Sequence, residues 1–187
     1  MMTMKINLNE ITKAIEEQEY LSDMETIKYA DVSRSKSKLR VHAEKMVHEV
    51  ALALKKGSLM QVQLVLEGKN PITFALETNI INLPLANYKK LINFFENEEE
   101  VPVKVYFETA SEYVNASKFR IDLLLTGDEL VADEDKATDL LTDAMSEKLK
   151  QIRENEKAAR EAAKAAKEAE KAEKAAKKET KAKSSKK

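Results

Sequence analysis

The sequence predicts an α+β fold. Its centre is a four-stranded, mainly antiparallel sheet arranged as β-hairpin, helix, β-hairpin, preceded by two helices and followed by a long C-terminal helix that extends into a charged tail. Three observations predict it. Apolar residues repeat at helical spacing before Gly57, they alternate with polar ones in two later blocks, and beyond Ile152 every apolar residue is alanine among lysine and glutamate.

The first helix is read over Asn7 to about Tyr20, where Leu8, Ile11 and Ile15 share a face and Asn7 or Asn9 can cap. A stronger pattern runs from about Ser33 to Lys56, with Leu39, Ala43, Met46, Val47, Val50 and Leu54 at three- and four-residue steps. Asp31 or Ser33 is a candidate cap, and Lys55-Lys56-Gly57 is a stop signal. After Gly57 the period becomes two. Met60, Val62, Leu64 and Leu66 form one strand face, Gly68-Lys69-Asn70-Pro71 supplies a turn, and Ile72, Phe74 and Leu76 alternate on the return strand. A helix is then expected over Asn79 to Asn97, started by Pro84. Two further strands follow, Pro102 to Thr109 and Lys118 to Thr126, the second with Phe119, Ile121, Leu123 and Leu125 on one side.

The last helix is expected to start after Asp133-Glu134-Asp135, whose charges suit a helix N-terminus. Leu141, Met145, Leu149 and Ile152 can pack, whereas the alanines beyond bury too little surface to hold a helix down. High alanine propensity and pairs such as Glu156 with Arg160 predict helicity to about Lys178, with Thr180–Lys187 disordered. The domain reading is a single α+β domain over 1–150 (helical 1–56, sheet-containing 57–127, start of the last helix 135–150) and a solvent-exposed helical arm over 151–187.

A chain of 187 residues, 43% apolar and without cysteine, can bury one core and has no disulfide framework, thiolate metal site or cysteine nucleophile. No apolar run approaches the roughly 20 residues of a membrane span, and the first ten residues lack signal-peptide character, so a cytoplasmic protein is expected. The net charge of -1 conceals segregation: residues 151–187 carry 13 Lys+Arg against 7 Glu, leaving 19 basic and 26 acidic side chains in residues 1–150. The three glycines, Gly57, Gly68 and Gly127, are too far apart for a phosphate-cradling loop.

His42 and His48 lie six residues apart on one helix, about 240° around its axis, so they cannot share a metal. Glu44 is a candidate neighbour of His48. The acids Asp128, Glu129, Asp133, Glu134 and Asp135 fit no calcium loop. No metal site, cofactor or catalytic set is assigned, and no pair of buried carboxylates can be assembled. Arg34, Lys36, Lys38 and Arg40, interleaved with Ser33, Ser35 and Ser37 at a helix start, form a candidate anion or nucleic-acid contact. The tail lysines, Lys177, Lys178, Lys181 and Lys183 among them, form a second. Glu98, Glu99, Glu100, Asp128, Glu129 and Asp133 form a candidate acidic, partner-facing patch. On the sheet, Lys104, Tyr106 and Arg120 are diluted by Glu77, Glu108 and Asp122, which reads as a plain solvent face.

Segregated charge without catalytic residues points to a non-enzymatic protein-interaction or regulatory binding protein, with another protein as partner and no membrane. The alternative is a nucleic-acid-associated protein that binds phosphates, sensitively to salt, through Ser33–Arg40 and the C-terminal lysines. Self-association through Ala159, Ala162, Ala166 and Ala169 is a further reading.

Overall fold

A computed structural model of the chain describes residues 5–7, 21–56, 60–78, 100–112 and 120–184. It divides the chain into two compact units, residues 1–149 and 150–187.

The first unit is built on a five-stranded mixed sheet in the order β2-β3-β4-β6-β7. Its strands are β2 (Leu21–Lys28), β3 (Met60–Glu67), β4 (Ile72–Thr78), β6 (Lys104–Ala110) and β7 (Arg120–Thr126). A separate antiparallel pair joins β1 (Lys5–Asn7) to β5 (Glu100–Pro102). The helices are α1 (Tyr29–Val32), α2 (Lys36–Lys55), α3 (Gly127–Ala132) and α4 (Glu134–Ser184).

The expected hairpin of β3 and β4 is present, with Leu66 opposite Ile72 across the Gly68–Pro71 turn. The sheet differs from expectation at both ends. β2 pairs parallel with β3 along its whole length, and the crossover this requires is supplied by α1 and α2. Its sequence, LSDMETIK, alternates weakly because several of its side chains face solvent, so no buried stripe announces it. At the other end, a register shift between Val105 and Tyr106 sets Leu125 opposite Val105 but Leu123 opposite Tyr106. The unbroken alternation expected for β7 is therefore interrupted by a bulge.

The expected helix over Asn7–Tyr20, apart from Asn7 itself in β1, and the expected helix over Asn79–Asn97 lie outside the described residues. α2 starts later than expected, because Ser35, rather than Asp31 or Ser33, accepts the Lys38 amide at 3.3 Å. The acidic stretch after β7 holds α3, opened by a reciprocal capping box between Thr126 and Glu129. Gly127 makes a close approach here: its amide donates to the Val103 carbonyl at 2.7 Å, and a Cβ would stand 3.3 Å from that oxygen, a tight fit. α4 begins at Glu134 and continues to Ser184, past the expected end near Lys178.

The core lies between the sheet and α2, which rests on β3 and β4. Met60, Val62, Leu64 and Leu66 of β3, Ile72, Phe74 and Leu76 of β4, and Val105 and Phe107 of β6 are buried together with Leu39, Ala43, Met46, Val47, Val50 and Leu54 of α2. The rings of Phe74 and Phe107 stack at 5.6 Å across neighbouring strands. Leu141, Met145 and Leu149 of α4 are buried as expected. Each such side chain contributes about 1.5–3 kcal/mol through removal from water, so the fold is fixed here and its charged residues are arranged around a rigid frame.

Candidate functional sites

The basic start of α2 does not stand open. Lys36 forms an ion pair with Asp143 of α4, and Arg40 reaches Asp139 at 3.1 Å, Asp135 at 3.8 Å and its helix neighbour Glu44 at 3.8 Å. Together with Lys55 and His48 on Glu134, these contacts run α2 and α4 in opposite directions along a charged seam. An open groove of about 470 Å³ lies over it, lined by Lys36, Ser37, Arg40, Asp139, Thr142 and Asp143. The hydroxyl of Ser35 is occupied by its cap and lies 2.9 Å from that of Ser37. Arg34 and Lys38 are exposed and pair with no acid among the described residues. Of the four candidate anion-binding cations, two are therefore engaged within the fold.

The acids of the candidate partner-facing patch serve the helix starts. Glu129 accepts from the Thr126 amide at 2.8 Å and from its hydroxyl at 3.0 Å, and these bonds, the amide first, hold its carboxyl below the usual range. Asp133 caps α4 by accepting the Lys136 amide at 2.9 Å. Glu134 is bridged by Lys55 at 2.8 Å and His48 at 3.1 Å, and the Lys55 bond is the main reason its carboxyl is also lowered. Asp128 sits half-buried in the first turn of α3. Glu98 and Glu99 lie outside the described residues, and Glu100 is described only as backbone in β5.

The two histidines face apart, as their spacing requires. His42 meets Glu25 of β2 at 3.2 Å, with Lys45 3.7 Å from the same carboxylate, while His48 turns to α4. Its partner is Glu134 rather than the expected Glu44. Among the described residues, no cluster of three or more metal-ligating side chains occurs.

The second face of the sheet corrects the sequence reading most. Expected as a solvent face, it holds Glu77 at 2% and Glu108 at 5% exposure, so a buried carboxyl pair is present after all. In register, Ala75 stands opposite Glu108 and Glu77 opposite Tyr106, which makes the two glutamates diagonal neighbours on β4 and β6. Burial first, and then the hydrogen bond with Glu108, push the Glu77 carboxyl up to about 8. Two hydrogen-bonded carboxyls need a proton between them, and that upward shift supplies it near neutral pH. Gln61 donates to Glu77 at 2.6 Å, and Gln63 donates to Gln61 at 2.7 Å, so the polar chain crosses three strands. Arg120 and Asp122 stand in register with Thr109 and Phe107, outside the Tyr106–Glu108 row in which they were expected. Alternation placed Glu77 and Glu108 on this side of the sheet; no sequence signal said that the side was covered.

The second unit is helical over 150–184, with Arg153–Ala172 exposed except for the half-buried Glu156. Ion pairs between near neighbours join Lys157 with Glu161 at 4.0 Å, Arg160 with Glu156 at 3.9 Å, and Lys174 with Glu170. Lys177, Lys178, Lys181 and Lys183 lie on the same helix. No family model, curated protein or solved structure matches this chain. Among the described residues, no helix is long and apolar enough to cross a membrane.

Proposed function

We propose that this is a non-enzymatic interaction protein: an acidic folded body that carries a long, net-basic helical arm as the element offered to partners. One observation carries the reading. In the body the charged clusters pair with one another, Lys36 and Arg40 with the acids of α4, and Lys55 and His48 with Glu134. On the arm, the described charged side chains other than the half-buried Glu156 are exposed, and Lys157, Arg160 and Lys174 pair with near neighbours on the same helix. Docking of another protein on the body's acids draws little support from Glu129 and Asp133, whose oxygens complete helix starts. Phosphate contact through Ser33–Arg40 is left with Arg34 and Lys38.

The test compares the full chain with a chain ended after Leu149, each used to capture partners from a cell extract and each complex then rebuilt from purified components. Partners held by the full chain and lost on truncation support the reading. Retention of every partner by the truncated chain would place docking on the body and overturn it, as would a substrate turned over by the purified protein.

A further inference from the structure

Every lysine and arginine from 150 to 176 falls on one repeating pattern. Lys150, Arg153, Lys157, Arg160, Lys164, Lys167, Lys171 and Lys174 follow one another at steps of 3, 4, 3, 4, 3, 4 and 3. On a helix at about 100° per residue, all eight lie within about 120° of the circumference, at intervals of about 5 Å along some 36 Å of axis. All eight are exposed. The opposite side is mostly alanine, with Ala158, Ala162, Ala165, Ala166 and Ala169 there beside Asn155 and Glu173. Glu154, Glu156, Glu161, Glu168 and Glu170 lie at or within about 40° of the borders of the stripe, and Glu161, Glu156 and Glu170 pair with Lys157, Arg160 and Lys174. Lys164, Lys167 and Lys171 have no ion pair among the described residues. The 3-4 spacing drifts by only about 20° per heptad, so the stripe stays on one side as it winds.

We propose that this stripe binds the phosphate backbone of double-stranded nucleic acid without regard to sequence, which rests on the reading of the arm as the partner-facing element. A duplex presents one negative charge per roughly 1.7 Å of axis, so a 36 Å stripe runs beside about twenty phosphates and meets charge at any register. The arm lacks what other occupants require. Between Arg153 and Ser184 its uncharged residues are alanine, Asn155, Thr180 and Ser184. There is no aromatic ring to stack a single-stranded base, no large apolar face to enter a membrane interface, and no aromatic anchor of a protein–protein hot spot.

The experiment titrates the full chain into a labelled 30-base-pair duplex of arbitrary sequence and follows anisotropy from low to physiological salt. The decisive variant exchanges neighbours: Lys164→Ala with Ala165→Lys, Lys167→Ala with Ala166→Lys, and Lys171→Ala with Ala172→Lys. Composition and net charge are unchanged and the stripe is broken, with Glu161 and Glu168 gaining four-residue partners at 165 and 172. The wild-type chain is expected to bind with log K falling linearly in log salt, at a slope of about -0.9 per phosphate engaged. The exchanged variant is expected to bind about tenfold more weakly, and the triple variant Lys164→Arg, Lys167→Arg, Lys171→Arg to bind as wild type. Equal affinity of the wild-type and exchanged chains overturns the inference in favour of bare net charge. Absence of binding at low salt also overturns it, as does preference for phosphatidylserine vesicles over the duplex. If circular dichroism shows that the exchange melts the arm, the triple Lys→Gln variant at 164, 167 and 171 replaces it, and unchanged affinity there counts against the proposal. A chain whose arm captures a protein but no duplex overturns this inference and leaves the broader reading standing.

Discussion

The body and the arm are both rich in charge, yet they use it over different distances. Lys36 and Asp143, or Arg40 and Asp139, are about a hundred residues apart in sequence and meet only because a buried core has already placed α2 beside α4. On the arm the pairs are four residues apart and form wherever the backbone is helical. Body stability is therefore tertiary, whereas arm stability is a sum of local propensities added to a helix whose nucleation is already complete. The same residue types thus act as fasteners in one region and as a solvated surface in the other.

Truncation of a buried side chain breaks this comparison most widely. Phe107→Ala removes one ring of the stacked pair at the centre of the sheet and is expected to cost about 3–5 kcal/mol in urea denaturation followed by tyrosine near-ultraviolet circular dichroism. A substitution such as Lys164→Ala on the arm is expected to stay within about 0.5 kcal/mol in the same assay. A body variant as mild as the arm variant would mean that the core does not set body stability.

The next effect is in pH. Glu77 has a folded value of about 8 against 4.5 ordinarily, so between these values the folded chain binds more protons than the unfolded one. The stabilisation is complete below about pH 4.5, declines as pH rises, and is lost above about 8. Glu134 and Glu129 are shifted the other way, so their contributions fail only toward acid pH. The melting temperature of the wild-type chain is expected to fall from about pH 5 to about pH 8 and then level off. Glu77→Gln is expected to flatten that slope; a slope that persists in the variant would remove the shared-proton account of Glu77 and Glu108.

The same division explains what was legible in the sequence. Residues whose environment is set by near neighbours were readable: the α2 stripe from Leu39 to Leu54, the β3–β4 hairpin, and the buried Leu141 and Met145. Ser35 outcompeting Ser33 as a cap is a shift of two residues within a run of similar caps. The misses required knowledge of distant partners. β2 has little apolar pattern of its own and is held by pairing with β3; the bulge at Val105/Tyr106 depends on how β6 and β7 meet. Glu77 becomes a buried acid only because its sheet face is covered. Likewise, the anion-binding reading of Lys36 and Arg40 rested on their own helix alone, whereas in the fold both pair with acids of α4.

Two smaller effects sharpen the contrast. Asp133→Ala removes the cap of α4 where it joins the body, with an expected cost of about 1 kcal/mol in the same denaturation assay. No loss would show that the Lys136 amide finds an equal partner.

The smallest effect is that of the seam itself. Arg40 and Asp139 are both well exposed, with side-chain exposures of 42% and 68%, so water and salt weaken their attraction. A double-mutant cycle with Arg40→Ala and Asp139→Ala is expected to give a coupling of about 0.2–1 kcal/mol that shrinks at about 0.5 M salt. The cycle for Arg160 and Glu156 on the arm is expected near 0.3–0.5 kcal/mol, read as helix content. If the seam pair behaves as a fastener, its coupling appears in the global unfolding of the body, while the arm pair leaves that transition untouched. Coupling of both pairs to the same transition would mean that body and arm unfold as one cooperative unit.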